Sequence, residues 1–223
     1  MKKAVYRVRD SFGAYLNWPL NQEIALGDVG YWYNKRAKFE RRTTLSELGI
    51  DVANPAAQLR MDEMLSDKSD CEFDAGAGTP LCTARFVFGN SYSFVAQSKG
   101  SAVLALSLDS LQSKLRSAID NGLDWDRHWV IVTRLWQADH FSMLIAGARR
   151  AEGVISAQSA EALPSFNIAD PSLKVGISVS KNLSYNGVAE RGLTPFFDMH
   201  KLIFDPYRAS YLRLYGQHDR AYN

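Results

Sequence analysis

The stretch from Leu123 to Ala138 limits the possible folds of this chain more than any other. A polar, glycine-terminated helix pattern runs into Trp125 and Trp129, and four β-branched residues follow, Val130, Ile131, Val132 and Thr133, closed by Leu135 and Trp136. β-Branched and aromatic residues in succession fit a pleated surface buried on both sides, so this segment predicts a central strand. The strands expected after it are only weakly apolar. A firm core strand beside poorly committed neighbours is the main functional clue.

The 223 residues are read as one folded unit, 46% hydrophobic and 12% aromatic, with a substantial core and no disordered profile. Net charge is only +2, so attraction to nucleic acid or membrane must come from local clustering. Two cysteines, Cys71 and Cys82, fit a reducing cytosol better than a disulfide framework. Arg7, Arg9 and Asp10 interrupt any signal-like apolar core, and no apolar run approaches the roughly 18–20 residues of a spanning helix. The expected product is a soluble cytoplasmic chain.

Along the chain, residues 2 to 18 fit either a short strand with a helical turn or one amphipathic helix. Ile24 to Tyr33 and Lys38 to Thr43 predict paired strands, with Gly27 and Gly30 marking a bulge or close approach. Thr44 and Glu47 have capping-box spacing. Asn54-Pro55 opens an expected helix to about Leu65, followed by a loop from Ser66 to Pro80. Thr83 to Gln97 predicts a hairpin turning at Gly89-Asn90, and Ser107 to Asn121 a helix stopped by Gly122. Further strands are expected at His140 to Ala148, Gly153 to Ser159, Leu173 to Ser180 and Leu193 to Phe204. The fold class is α+β: a twisted antiparallel central sheet with long hairpins and peripheral helices.

Catalytic motifs are weak. Asp70, Glu72 and Asp74 have the first spacings of a calcium loop, but Ala75 and Leu81 stand where glycine and a bidentate glutamate belong. His128, His140, His200 and His218 show no zinc-site spacing, and neither a nucleotide loop nor a serine-nucleophile motif occurs. His128 beside Asp126 and His140 beside Asp139 read as strand-edge histidines near turn acids. No enzyme activity, metal or cofactor is expected.

The best charge feature is Lys35, Arg36, Lys38, Arg41 and Arg42, interleaved with Tyr31, Trp32, Tyr33 and Phe39. Three readings stand for it. It is a solubilising edge hairpin, a contact for anionic lipid at about 1 kcal/mol per cation with interfacial aromatics, or a phosphate-and-stacking site for nucleic acid. Two long hairpin regions, about 82 to 98 and 141 to 180, have the modest alternation of membrane strands, which need about nine to eleven residues each. Such strands enter lipid only when closed into a ring. Weak alternation equally fits an ordinary half-buried antiparallel sheet.

The order of these elements resembles the gasdermin pore-forming domain, including its bacterial members. The likeness lies in the strand–basic turn–strand of Ile24 to Gly49, the hairpin of Cys82 to Ser98 before a helix, and above all Trp129 to Trp136. The last looks like that family's aromatic-Val-Val-Thr strand. The resemblance implies a pore-forming domain over residues 1–205 and a possibly autoinhibitory segment over 206–223, carried by Tyr207, Tyr211, Leu212 and Tyr215. It implies an autoinhibited precursor released by a protease, lipid contact through Lys35, Arg36, Lys38, Arg41, Arg42 and Trp32, and assembly into a membrane homo-oligomer. The freed protein would move to the inner membrane and kill the cell in phage defence. Characterised bacterial members carry an acylated cysteine near the N-terminus, and here none precedes Cys71. The competing expectation is a non-enzymatic binding module or adaptor whose basic–aromatic hairpin takes nucleic acid or a protein partner; nucleic acid is disfavoured.

Overall fold

Val130, Ile131, Val132 and Thr133 are all buried, and they alternate between two cores. Val130 and Val132 join one cluster and Ile131 the other. In this computed structural model, residues 2–19, 22–52, 57–66, 71–76, 82–157, 176–179, 183–189, 193–204 and 211–215 are described. In chain order the elements are α1 (Lys2–Phe12), β1 (Tyr15–Leu16), β2 (Asp28–Tyr33), β3 (Lys38–Thr44), β4 (Ala57–Ser66), β5 (Cys71–Gly76), β6 (Cys82–Phe88) and β7 (Phe94–Ala105). Then come α2 (Leu108–Asp120), β8 (Val130–Ala138), β9 (His140–Ala146), β10 (Ala151–Ala157), β11 (Gly176–Val179), β12 (Leu183–Ala189), β13 (Leu193–Ile203) and β14 (Tyr211–Leu214). Every strand pairing is antiparallel, so the chain is α+β with a central antiparallel sheet.

The two helices cover opposite faces of that sheet. α1 is the amphipathic helix alternative for the N-terminus: Ala4, Val5 and Val8 are buried in one cluster with Phe94, Ala96, Phe141, Met143 and Ile145. α2 buries Leu111 and Leu115 with Leu106, Val29, Leu45 and Ile131 on the other face. Ser107 occupies the N-cap, but its side chain makes no capping bond. Leu108 is 38% exposed, so the apolar stripe is narrower than its spacing suggests.

The first hairpin region is built differently from its sequence reading. The expected helix from Asn54 to Leu65 is strand β4 over its described part, paired along β7. The expected loop from Ser66 to Pro80 contains strand β5. Long-range ladder pairing overrides the helix-start signal, a weak local preference. Gly89-Asn90 is no hairpin turn either. β6 and β7 lie in different sheets, and β6 pairs with β5 and β10. The consecutive strands that pair here are β5 and β6, and residues 89–93 are a bend within one long arm.

The ten-stranded sheet contains β4, β7, β9 and β12 side by side, and the four-stranded sheet runs β5, β6, β10, β11 in the matching order. Two long hairpins thus lie next to each other, each bent where one sheet gives way to the other. The bend holds two strained residues, Tyr92 at φ 69 and Arg150 at φ 55, one on each inner arm. Non-glycine residues in this left-handed region cost about 1–2 kcal/mol each. Bonds from Tyr92 N to Ala146 O, Ala146 N to Ser93 O and Arg150 N to Phe88 O, each 2.9 Å, fasten the bend's two ends. A second corner lies at Gly100, φ +63, where any Cβ would strike the Asp139 side chain.

Candidate functional site

The basic turn projects from the β2–β3 hairpin. β2 starts at Asp28 rather than Ile24 because Gly27, at φ +84, turns the chain first. The glycine expectation holds at Gly30: the register shifts between Val29 and Gly30, and a Cβ there would strike the Glu40 carbonyl. The capping box forms, with Glu47 N donating to Thr44 Oγ1 (3.1 Å) and Thr44 N to Glu47 Oε2 (2.9 Å). It closes a turn, and hydrogen bonds, first from Thr43 Oγ1 and then from Thr44 N, hold the Glu47 carboxyl below its ordinary range.

All five cations are exposed. Arg41 faces the buried Asp28 at 3.8 Å, while Arg42 pairs with Glu40 at 2.8 Å and lies 5.4 Å from the Tyr31 ring centre. Trp32, expected among the lipid-contacting residues, is instead 8% exposed and packed on Tyr15 (4.6 Å) and Phe197 (6.3 Å). Strand alternation turns it inward while Tyr31 and Tyr33 face outward. In this form its ring belongs to the core.

Sequence reasoning did not foresee what anchors the turn. Tyr6 Oη of α1 donates to the Asn34 carbonyl (3.3 Å) and Oδ1 (3.1 Å), and Asn34 Nδ2 donates to Tyr215 Oη (3.4 Å). Tyr15 Oη donates to the Tyr215 carbonyl (3.3 Å), and Tyr215 N to Met199 O (2.8 Å). The N-terminal helix, the basic turn and the C-terminal segment thus meet at Asn34. Lys2 lies 6.0 Å from the Tyr6 ring centre, so α1 adds a cation beside the turn. A cavity of about 400 Å³ opens here, lined by Tyr31, Trp32, Tyr33, His128, Val130, Lys201 and Tyr215.

Of the C-terminal residues, Tyr211 and Leu212 belong to β14, which adds to β13 with Leu212 opposite Leu202. Leu212 packs on the α2 side, Tyr215 packs on the α1 side, and Tyr211 is 38% exposed. Leu212 N also donates to Gln112 Oε1 of α2 (2.9 Å). Tyr207 lies outside the described residues, as do Asp70 and His218. Glu72 and Asp74 fall on β5, so the acidic segment is strand there rather than loop. Cys71 faces Phe88, while Cys82 follows at the other end of that ladder. At about 3.3 Å per residue they are roughly 20 Å apart and cannot bond in this form.

The titratable groups do not assemble a reaction centre. His128 is exposed and its Nδ1 lies 3.1 Å from Asp126 Oδ1. Tyr31 Oη also donates to Asp126, which, with the His128 backbone N–H, lowers the Asp126 carboxyl and raises the Tyr31 phenol. On β13, burial raises Asp198 to about 6, partly offset by Arg134 at 3.4 Å. Burial lowers His200 to about 4; its Nδ1 lies 2.7 Å from Thr133 Oγ1. Among the described residues no acid–histidine–cysteine group could hold a metal, and no helix is long and apolar enough to cross a membrane.

The inner ribbon is the other half of the site. β6–β7 face β10–β9–β8 from Cys82↔Ala157 to Ala105↔Arg134 in one unchanged register, through both corners. Between Phe88↔Ala151 and Phe94↔Ile145 each arm advances six positions. Alternation therefore stays in phase. By sequence Ala84, Phe86, Phe88, Tyr92, Phe94 and Ala96 alternate with Thr83, Arg85, Ser91, Ser93 and Gln97, broken by Asn90 in the first set and by Val87 and Val95 in the second. Residues directly opposed in an antiparallel ladder share a face, which places Ala151, Ile145, Met143 and Phe141 with the apolar set. In the same register Thr83 stands opposite Ser156, Gln97 opposite Ser142 and Lys99 opposite His140, with the buried pair Val95 and Leu144 between them.

The fold and site define an α+β protein with a basic hairpin and a bent four-strand arm whose two inner strands keep one register. No family model and no curated protein matches the chain. It is similar to a solved bacterial gasdermin from Bradyrhizobium tropiciagri at 14% identity and a TM-score of 0.41, over 94% of this chain and 90% of that one.

Proposed function

We propose that this chain is the resting form of a non-enzymatic, gasdermin-like pore-forming protein, whose two long hairpins straighten into membrane strands. The observation that carries it is the inner ribbon: one register and one alternation phase run unbroken through the bend. Straightening such a ribbon keeps its apolar positions on one face, interrupted at the level of the bend by Asn90 and Arg149, and each of the four arms exceeds the nine to eleven residues a membrane strand needs. Neighbouring arms run antiparallel, so the outer edges on β4–β5 and β11–β12 also run in opposite directions. A second copy can therefore continue the ladder, and a closed ring satisfies every edge.

In this reading α1 shields the apolar face, and Asn34 ties α1, the basic turn and the C-terminal segment together through Tyr6 and Tyr215. Proteolysis near Pro206 removes the segment over 206–223 and frees α1. Lys35, Arg36, Lys38, Arg41 and Arg42 then bring the domain over 1–205 to anionic lipid at the inner membrane, where copies assemble. The cytoplasmic precursor becomes a cell-killing effector, with phage defence as the biological setting. The test is dye release from phosphatidylglycerol-rich vesicles by the full chain carrying a protease site after Asp205. Release only after cleavage is expected; no release before or after cleavage would leave the adaptor reading.

A further inference from the structure

The inner ribbon and the arms that flank it do not turn the corner with equal numbers of residues. From Val95 to Phe88 the inner arm takes seven steps, while its outer neighbour takes five, from Ser66 to Cys71. On the other flank the inner arm takes eight steps, from Ile145 to Gly153, and the outer arm six, from Tyr185 to Val179. Measured from the regular ladders each outer arm is two residues short, and the single pair Leu183↔Ala146 beside the bend is displaced by one more. The distal ladders of β5 and β11 are regular, whereas β4 shifts register at Gln58/Met61 and Met61/Glu63, and β12 at Leu183/Tyr185.

A ladder inside lipid tolerates no unpaired backbone, so a straight four-strand arm needs equal residue counts through the former bend. Closing the shortfall requires a slip of two. Side chains alternate with period two, so a two-residue slip is also the smallest that leaves every side chain on its own face. We infer that β4 and β12 slide two residues along the inner ribbon during insertion, onto the registers already held by β5 and β11. Met64 then leaves Gln97 for Val95, and Tyr185 leaves Ile145 for Gly147. The inner ribbon keeps its register. This inference rests on the pore-forming reading and adds its structural step: irregular outer strands hold the resting form, and their slip commits it.

Directly opposed residues lie within disulfide reach, while pairs displaced by two positions are about 7–8 Å apart and at its limit. The test uses the full chain with the protease site after Asp205, Cys71 and Cys82 changed to serine, and three cysteine pairs. Met64→Cys with Gln97→Cys locks the present register, Met64→Cys with Val95→Cys reports the slipped one, and Gln97→Cys with Ser142→Cys locks the inner ribbon. Oxidising the first pair should reduce vesicle leakage about tenfold, restored by reductant, while oxidising the third leaves it within about twofold, because only the outer ladder must re-pair. The second pair should bond only in vesicles. Undiminished leakage from the first locked pair, or no vesicle-dependent bond in the second, overturns the slip. If the reduced, cleaved protein releases no dye at all, the pore reading itself falls, and the slip with it.

Discussion

Tyr92 and Arg150 show at single-residue scale how strain and placement combine in this molecule. Both hold left-handed backbone at the bend, and Arg150 is exposed. Replacing Arg150 by glycine removes about 1–2 kcal/mol of strain and returns about 0.5–1 kcal/mol through added chain entropy. Arg150→Gly should therefore stabilise the resting form by about 0.5–1 kcal/mol in chemical denaturation; a lowered midpoint would deny that the bend is strained there. Asp198 and His200 make a second residue-scale prediction. Asp198 has a folded value of about 6, above the ordinary 3.8, so its contribution is full below about 3.8 and is lost as pH rises through 6. His200 has a folded value of about 4, below the ordinary 6.5, so its contribution is present above 6.5 and is lost as pH falls through 4. Between about pH 6.5 and 4 the two oppose each other, each by on the order of 2 kcal/mol. Asp198→Asn should make the protein markedly acid-sensitive in that window, and His200→Gln should make it gain stability on acidification. Parallel pH profiles for both variants and the parent would remove the linkage.

At the scale of elements, the basic hairpin and the long arms answer to different physics. Arg41 and Arg42 already face carboxylates, whereas Lys35, Arg36 and Lys38 project from the exposed turn and the start of β3. Changing all five to glutamine should weaken binding to anionic vesicles by about 3–5 kcal/mol at low salt, with the first three positions carrying most of it. Equal binding by the variant in a flotation assay would exonerate the cluster. β8, α2, β13 and the β2–β3 pair were legible because their patterns are strong and local: four buried β-branched residues, leucines at helical spacing, a turn between alternating runs. β4 was not. Residues 57–66 carry a helix-start signal nearby and no clean alternation, and only the ladder with β7 makes them a strand. The Gly89-Asn90 signal was real as a change of direction but misread as a reversal. A short turn motif records local curvature, and only the partner strand reveals whether the chain doubles back.

On the scale of the whole molecule, the C-terminal segment is a working part of the sheet. β14 covers the outer edge of β13, Leu212 is held by Gln112 of α2, and Tyr215 reaches α1's neighbourhood through Asn34. Cutting after Asp205 should therefore raise amide hydrogen exchange along His200 to Ile203 and in α1 together. Exchange rising in β13 alone would show that the segment does not restrain α1. Two contributions meet in this protein. Local composition and alternation, which act over a few residues, set by themselves the antiparallel α+β class, the buried central strand, the second helix and the exposed cations. Tertiary structure alone decided that Trp32 points inward, that two hairpins bend at one level, and that outer arms run two residues short of the inner ribbon. Those facts depend on which backbone lies opposite which, over separations of tens of residues, and no local pattern encodes them.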